Sequence, residues 1–236
     1  MAPRGRSAVI VGNGPSVDAM PPAFWRACAD STGLLLAGTN RVLCLRALRA
    51  VPWDLLVIRD TYRNLWHDPG LGARYHEELW KPHGAYKLGP ADRRLTWCDE
   101  FVRQEPAWQP TPVRDENGEA AVMRNGSVVL MAVNWAYWQG VRQFALVGVD
   151  YTGGDGPAMI EPYAGQSQGW EGRYDTPVPE GIERQFAEAL AGVRAGGGDI
   201  VDLSPGSRLR AVPAGNWRTW LENRGDRRQP SVANCR

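Results

Sequence analysis

Residues 7–16 read Ser7-Ala8-Val9-Ile10-Val11-Gly12-Asn13-Gly14-Pro15-Ser16, a nearly continuous apolar run that ends in a glycine-rich turn. A short apolar run of this kind is typical of a strand that is buried on both faces, as in a parallel sheet. Ser16 is placed to cap a following helix, and Asp18 is favourable near the positive end of that helix. The stretch therefore predicts a strand, a tight turn and a helix, the opening unit of an α/β fold.

The same alternation continues along the chain. Four more apolar runs end in glycine or polar residues, and they predict strands at 34–37, 54–58, 144–148 and 199–203. Helices are predicted at 128–138, whose many apolar residues suit a buried helix, and at 179–195, where one face is apolar. Alternating strands and helices predict the fold class, which is α/β with a Rossmann-like, doubly wound, mostly parallel sheet.

The middle of the chain has no clear periodicity. Residues 61–120 are predicted to form short helices and loops, and 152–178 are rich in glycine and polar residues. We expect these two segments to be insertions that form a lid on a single domain covering 1–221. Residues 222–236 are polar and are predicted to be a disordered tail.

Composition narrows the class of protein. Of the 236 residues, 43% are hydrophobic and 22% are charged, and the formal net charge is +1, so no nucleic-acid partner is indicated. No run approaches the ~20 apolar residues of a membrane span, and the N-terminus does not resemble a signal peptide, so a cytoplasmic protein is expected. The four cysteines (Cys28, Cys44, Cys98, Cys235) form no Cys-x-x-Cys pair, which indicates reduced thiols. The histidines His67, His76 and His83 lack zinc-ligand spacing, so no metal site is predicted.

The turn after the first strand is the first candidate binding site. Gly12 and Gly14 allow the backbone to approach a ligand closely, and the amides that start the next helix attract phosphate. The dinucleotide fingerprint is absent because Val17 stands where a third glycine is needed, and no Gly-Lys-Ser/Thr completes a P-loop. The alternative is a plain strand-to-helix turn without a ligand.

Polar residues at other strand ends and helix starts extend this candidate site. They are Asn40, Asp60, Asn125, Ser127, Asp150 and Tyr151. Amides and hydroxyls both donate and accept hydrogen bonds, which suits a ribose or a base edge. Asp150 has the alternative role of capping local backbone. No Asp-x-Asp pair follows a strand, which favours a metal-independent mechanism or a donor with a single phosphate.

At these residues the sequence resembles the bacterial lipooligosaccharide sialyltransferases and their uncharacterised relatives. The resemblance rests on Val9–Ser16, on Asn40, on Asn125-Gly126-Ser127, on Gly148-Val149-Asp150-Tyr151 and on Ser204-Pro205-Gly206-Ser207. Their order and approximate spacing match over roughly residues 7 to 210, outside the middle segment. The resemblance implies a Rossmann-like nucleotide domain with a lid, a CMP-sugar-like donor, transfer without a metal cofactor, and an oligomer that is often a tetramer.

The resemblance also implies residue roles. Nucleotide binding would pass to Gly12, Asn13, Gly14, Asn40, Asn125, Gly126 and Ser127, and the same crevice would include Pro15, Ser16, Asp60 and Asp150. Tyrosines that assist the departing phosphate would correspond to Tyr151 and Tyr163. The family's general base is a lid histidine, but residues 163–179 contain none. The remaining candidates are Asp175, Glu171 and Glu180, whose carboxylates can act as bases when burial raises their pKa.

Three functions remain open on sequence alone. The first is a glycosyltransferase that moves a sugar from a nucleotide sugar to an acceptor hydroxyl on a glycan, a small metabolite or a modified base. The second is a pyrophosphokinase-like phosphoryl transferase, suggested by a similar Gly-x-Gly-Pro-Ser loop in a group that acts on a pterin alcohol, with ATP, magnesium and the acids Asp60, Asp150 and Asp155. The third is a nucleotide-binding module without catalysis.

Overall fold

A computed structural model describes residues 7–14, 16–44, 48, 50–59, 69–91, 95, 97–123, 127–149, 178 and 180–224. They contain one parallel sheet of eight strands in the order β6-β5-β4-β3-β2-β1-β7-β8. The strands are β1 (Ser7–Val11), β2 (Leu34–Thr39), β3 (Leu55–Val57), β4 (Tyr86–Pro90), β5 (Glu100–Glu105), β6 (Ala120–Met123), β7 (Gln143–Val147) and β8 (Asp199–Asp202). The predicted α/β, doubly wound fold class is confirmed, and every strand pair is parallel.

Helices cover both faces of this sheet. They are α1 (Ser16–Ala19), α2 (Pro22–Ala29), α3 (Pro69–Tyr75), α4 (Val128–Trp138), α5 (Glu180–Ala195) and α6 (Trp217–Asn223), with a 3₁₀ turn at Val42–Cys44 and a π-helical turn at His76–Trp80. α4 begins and ends at the predicted residues. α6 continues two residues into the stretch that was predicted to be a disordered tail.

The two cores follow from side-chain alternation along the central strands. In β1, Ala8 and Ile10 pack with α4 and α5, whereas Val9 and Val11 face the opposite core with α1 and α2. Successive side chains of a strand point to opposite faces, so a strand that is buried on both faces must be apolar throughout. This requirement explains the unbroken apolar run that opens the chain.

One polar side chain lies inside the α4 core. Asn134 is fully buried, and its Oδ1 accepts hydrogen bonds from the amide of Met123 at 2.7 Å and the amide of Gln109 at 3.4 Å. Its Nδ2 donates to the carbonyl of Gln109 at 2.7 Å. Buried polar groups are tolerated when such bonds satisfy them. Asn134 thus fixes the proline-rich segment around Gln109 and the end of β6 against α4.

The prediction of short helices and loops for residues 61–120 was wrong in part. β4, β5 and the first residue of β6 fall in this range and widen the sheet, while α3 and the π-helical turn agree with the prediction. The strands were missed because they are short and carry polar residues: β5 reads Glu-Phe-Val-Arg-Gln-Glu, a pattern typical of a half-buried strand near a sheet edge. Of the two predicted lid segments, residues 61–68, 92–94, 96 and 152–177 lie outside the described residues.

Two further sequence predictions concern membranes and thiols. No helix in the described ranges combines the length and the apolar character that crossing a bilayer requires. Cys28 and Cys98 are free thiols, and burial raises the pKa of each to about 12. A raised pKa keeps a thiol protonated at neutral pH and therefore unreactive as a nucleophile. Cys235 and the side chain of Cys44 lie outside the described residues.

Candidate functional site

The strand order reverses at β1. The chain leaves β1 for β2 through α1 and α2 on one face, and it later returns through α4 on the other face to β7 on the far side of β1. In open α/β sheets, ligands bind at the carboxyl ends of the strands where the order reverses in this way. We call the carboxyl ends of β1 and β7, with the loop residues Gly12–Gly14 and Gly148–Val149, the switch-point crevice.

The two loops of the switch-point crevice are in direct backbone contact. The amide of Gly12 donates to the carbonyl of Val147 at 2.7 Å, and the amide of Gly14 donates to the carbonyl of Gly148 at 2.8 Å. A Cβ on Gly12 would overlap the carbonyl oxygen of Gly148. Gly148 has φ +73, and a Cβ there would lie 2.5 Å from a methyl group of Val17. Both glycines are therefore required by the approach of the loops to each other, and the amides of Gly12 and Gly14 donate within the protein.

Asn13 connects the β1 loop to the β2 loop through its side chain. Its Oδ1 accepts from the amide of Arg41 at 3.0 Å. Its Nδ2 lies 3.1 Å from the carbonyl oxygen of Thr39 and 3.2 Å from the Thr39 hydroxyl. That hydroxyl donates to the carbonyl of Val11 at 2.9 Å. Thr39 is fully buried, so it acts only within the protein.

Asn40 makes the equivalent connection from β2 to β3. Its Oδ1 accepts from the amide of Arg59 at 3.1 Å, and its own amide donates to the carbonyl of Val57 at 2.9 Å. The Asn40 carbonyl accepts from the hydroxyl of Tyr75 at 2.9 Å. Asn40 has φ +43, a left-handed conformation that asparagine tolerates better than most residues. Asn40, a predicted site residue, is only 8% exposed, and these hydrogen bonds give it a structural role.

The far side of the crevice is closed by the turn after β8. The hydroxyl of Ser204 accepts from the amide of Val149 at 3.2 Å, and the amide of Ser204 donates to Asp202 Oδ1 at 2.9 Å. Both Ser204 and Asp202 are buried. The predicted Ser204–Ser207 turn therefore supports the β7 loop of the crevice.

Helix α4 begins at the same edge of the sheet. β6 ends at Met123, all strands run in one direction, and α4 starts at Val128 and packs against β1, β2 and β3. Ser127 precedes the helix in extended conformation and is 6% exposed, but its hydroxyl makes no capping hydrogen bond to the helix. The first turn contains no acidic residue. The positive end of a buried, 11-residue helix thus lies at the carboxyl edge, and the Ser127 side chain does not cap it.

The chain matches no protein-family model, and no curated protein or solved structure is significantly similar to it.

The structure brings part of the predicted site together. Gly12, Asn13 and Gly14 lie in the switch-point crevice, Ser16 is the buried first residue of α1, and Asn40 and Ser127 lie at the same edge of the sheet. Ser16 was predicted to cap the helix that it instead begins. Nine other predicted residues lie outside the described residues: Pro15, Asp60, Asn125, Gly126, Asp150, Tyr151, Tyr163, Glu171 and Asp175. Asp155, named for the alternative mechanism, also lies outside them. Glu180 is exposed at the start of α5.

Sequence reasoning missed two residues at this edge. Thr39 and Arg41 flank the predicted Asn40, and their buried positions, at 0% and 2% exposure, were not expected of a threonine and an arginine in a turn. A signal for Thr39 was present, because it ends an apolar strand and a hydroxyl there can bond to a neighbouring strand end. Within the described part of the chain, no group of three His, Cys, Asp or Glu residues is arranged to hold a metal ion.

Proposed function

We propose that this protein binds a nucleotide at the carboxyl edge of its sheet, with a phosphate at the start of α4, and transfers the sugar of a nucleotide-sugar donor to an acceptor hydroxyl. The observation that carries the binding step is the buried Ser127 at the N-terminus of α4, whose hydroxyl does not cap the helix. A phosphate oxygen could accept from that hydroxyl and from the first amides of the helix.

The contrast between α4 and α1 supports this placement. α1 has only four residues, and two amides of the loop before it, those of Gly12 and Gly14, already donate to the β7 side. α4 has 11 residues and no acidic side chain in its first turn. A longer helix presents a fuller positive end, and an acidic first turn would repel an anion. Ser127 and the N-terminus of α4 therefore form a better phosphate site than the glycine-rich loop.

The transfer step is supported by the sequence resemblance rather than by described geometry. In this proposal a carboxylate, Asp175 or its neighbours Glu171 and Glu180, deprotonates the acceptor hydroxyl, and Tyr151 and Tyr163 stabilise the departing phosphate. The donor is CMP-sugar-like and no metal cofactor is required. This part of the proposal is tested by incubating the protein with CMP-sugars and measuring CMP release with and without EDTA.

The binding step is tested by thermal unfolding with CMP, UMP, UDP, GDP, AMP and ATP, each with and without magnesium. A ligand at 100 times its dissociation constant should stabilise the fold by about 2.7 kcal/mol. We expect CMP to stabilise the protein without magnesium, and Ser127→Ala to weaken this effect. Ser31→Ala is the matched control, because Ser31 follows α2 at the opposite edge of the sheet.

Other outcomes of the same panel discriminate between functions. Stabilisation by ATP only in the presence of magnesium would favour the pyrophosphokinase-like alternative. Stabilisation by CMP without release of CMP from any nucleotide sugar would favour a binding module without catalysis. A panel in which no nucleotide raises the melting temperature would refute the proposed binding site.

A further inference from the structure

At the carboxyl edge of the sheet, side-chain hydrogen bonds join neighbouring strands beyond the last residues that are paired through their backbones. The ladder between β1 and β2 ends at Val11 and Gly38, and the ladder between β2 and β3 ends at Thr39 and Val57. Asn13 lies two residues after β1 and accepts from Arg41, which lies two residues after β2. The strand-end loops are thus joined where the backbone pairing has stopped.

The same arrangement recurs on both sides of this pair. Asn40 accepts from the amide of Arg59, which lies two residues after β3. Ser204, two residues after β8, accepts from the amide of Val149, two residues after β7. Between them, the amide of Gly14 reaches the carbonyl of Gly148. The loops after five neighbouring strands, β3, β2, β1, β7 and β8, are therefore linked in one chain of hydrogen bonds.

We infer that Asn13, Thr39 and Asn40 are positioning residues, which set the spacing of these loops. The side-chain amides of the two asparagines do not contact the ligand. This inference rests on the proposed function for its ligand, but it reverses the role that the sequence resemblance implies for the two asparagines. Preorganised loops reduce the ordering cost of binding, so losing the links should weaken affinity without removing any direct contact.

Thr39 makes this inference testable. It is fully buried, so its side chain cannot touch a ligand in the crevice. Its hydroxyl both donates to Val11 and accepts from Asn13, so it holds the Asn13 amide against β1. Replacing Thr39 by valine keeps the shape of the side chain and removes only the hydroxyl. A positioning role for Asn13 therefore predicts that Thr39→Val acts in the same direction as Asn13→Ala, with a smaller effect because the Thr39 carbonyl still accepts from Asn13 Nδ2.

The first arm uses the full-length protein without ligand and measures hydrogen exchange at the amide of Arg41. We expect exchange to be about tenfold faster in Asn13→Ala than in the wild type, and faster by a smaller factor in Thr39→Val. Thr39→Ser, which keeps the hydroxyl, and Asn13→Asp, which keeps an acceptor for Arg41, should protect the amide better than these two variants. Thr219→Val on the exposed surface of α6 is the matched control. Equal exchange in all variants would overturn the inference.

The second arm measures the dissociation constant of CMP by titration calorimetry. We expect about a tenfold increase for Asn13→Ala, a smaller increase for Thr39→Val, and no increase beyond that of Asn13→Ala when they are combined, because the Thr39 hydroxyl acts through Asn13. Unchanged affinity in Thr39→Val with complete loss in Asn13→Ala would overturn the inference, since it would make Asn13 a direct ligand contact. If the wild type binds no nucleotide, the proposed function fails, and the exchange arm alone decides the positioning role.

Discussion

Gly12→Ala is expected to lower the free energy of unfolding by about 3 kcal/mol, the upper end of the range of about 1–3 kcal/mol that overpacking usually costs. The added methyl group would overlap the carbonyl oxygen of Gly148, which is backbone and cannot rotate away. Relief requires the β1 and β7 loops to separate, and separation would break the hydrogen bonds that the amides of Gly12 and Gly14 donate. Urea unfolding followed by circular dichroism measures the change.

Gly181→Ala is the matched control for this substitution. Gly181 lies in the first turn of α5, and a Cβ there would meet no atom within 4 Å. Alanine is favoured over glycine in helices by up to about 1 kcal/mol, so this variant should be at least as stable as the wild type. Equal stabilities for Gly12→Ala and Gly181→Ala would show that the two crevice loops do not touch as described.

Stability is expected to fall by about 3 kcal/mol between pH 7 and pH 4 because of His76 alone. His76 is 3% exposed and packs against the rings of Tyr75, Trp80 and Trp97. Desolvation lowers the pKa of its imidazole from 6.5 to about 4, although the nearby charge of Glu77 raises it. The unfolded chain therefore binds a proton below pH 6.5 that the folded chain does not bind until about pH 4. The loss begins as the pH falls through 6.5 and levels off near 4.

The measurement is a series of urea unfolding curves from pH 7 to pH 4 for the wild type and for His76→Phe, which keeps an aromatic ring. The variant should lose most of this pH dependence, while the contributions of the carboxylates remain in both proteins. His83→Gln is the control, because His83 is partly exposed and its pKa is lowered by partial burial and by Lys87. Parallel profiles for the wild type and His76→Phe would contradict the buried, neutral imidazole.

The central half of the sheet could be predicted from the sequence because each of its strands must be apolar on both faces. Ser7–Val11 and Leu34–Thr39 meet this requirement and were found within two residues of their ends. The outer strands β4 and β5 carry lysine, arginine and glutamate, and their pairing depends on neighbours far along the chain. Local patterns do not contain that information, so the sequence predicts short helices and loops there.

The candidate site, like the sheet, could be predicted from the sequence only in part. In the sequence Gly12 and Gly148 are only the last residues of apolar runs. The reason for each glycine is a carbonyl oxygen or a methyl group of a neighbouring segment, which only the fold reveals. The polar character of Asn13 and Asn40 suggested ligand contacts. The structure shows that their side-chain oxygens accept from the amides of Arg41 and Arg59, partners that lie 28 and 19 residues away in the chain.

The most direct test of nucleotide binding at the carboxyl edge is hydrogen–deuterium exchange of the whole protein with and without saturating CMP. We predict slower exchange at the first amides of α4, beginning with Val128, and in the loop that leads into α1. Exchange at the amino edge of the sheet, including Ser31 after α2, should not change. Protection confined to that opposite edge, or no protection anywhere, would contradict the account.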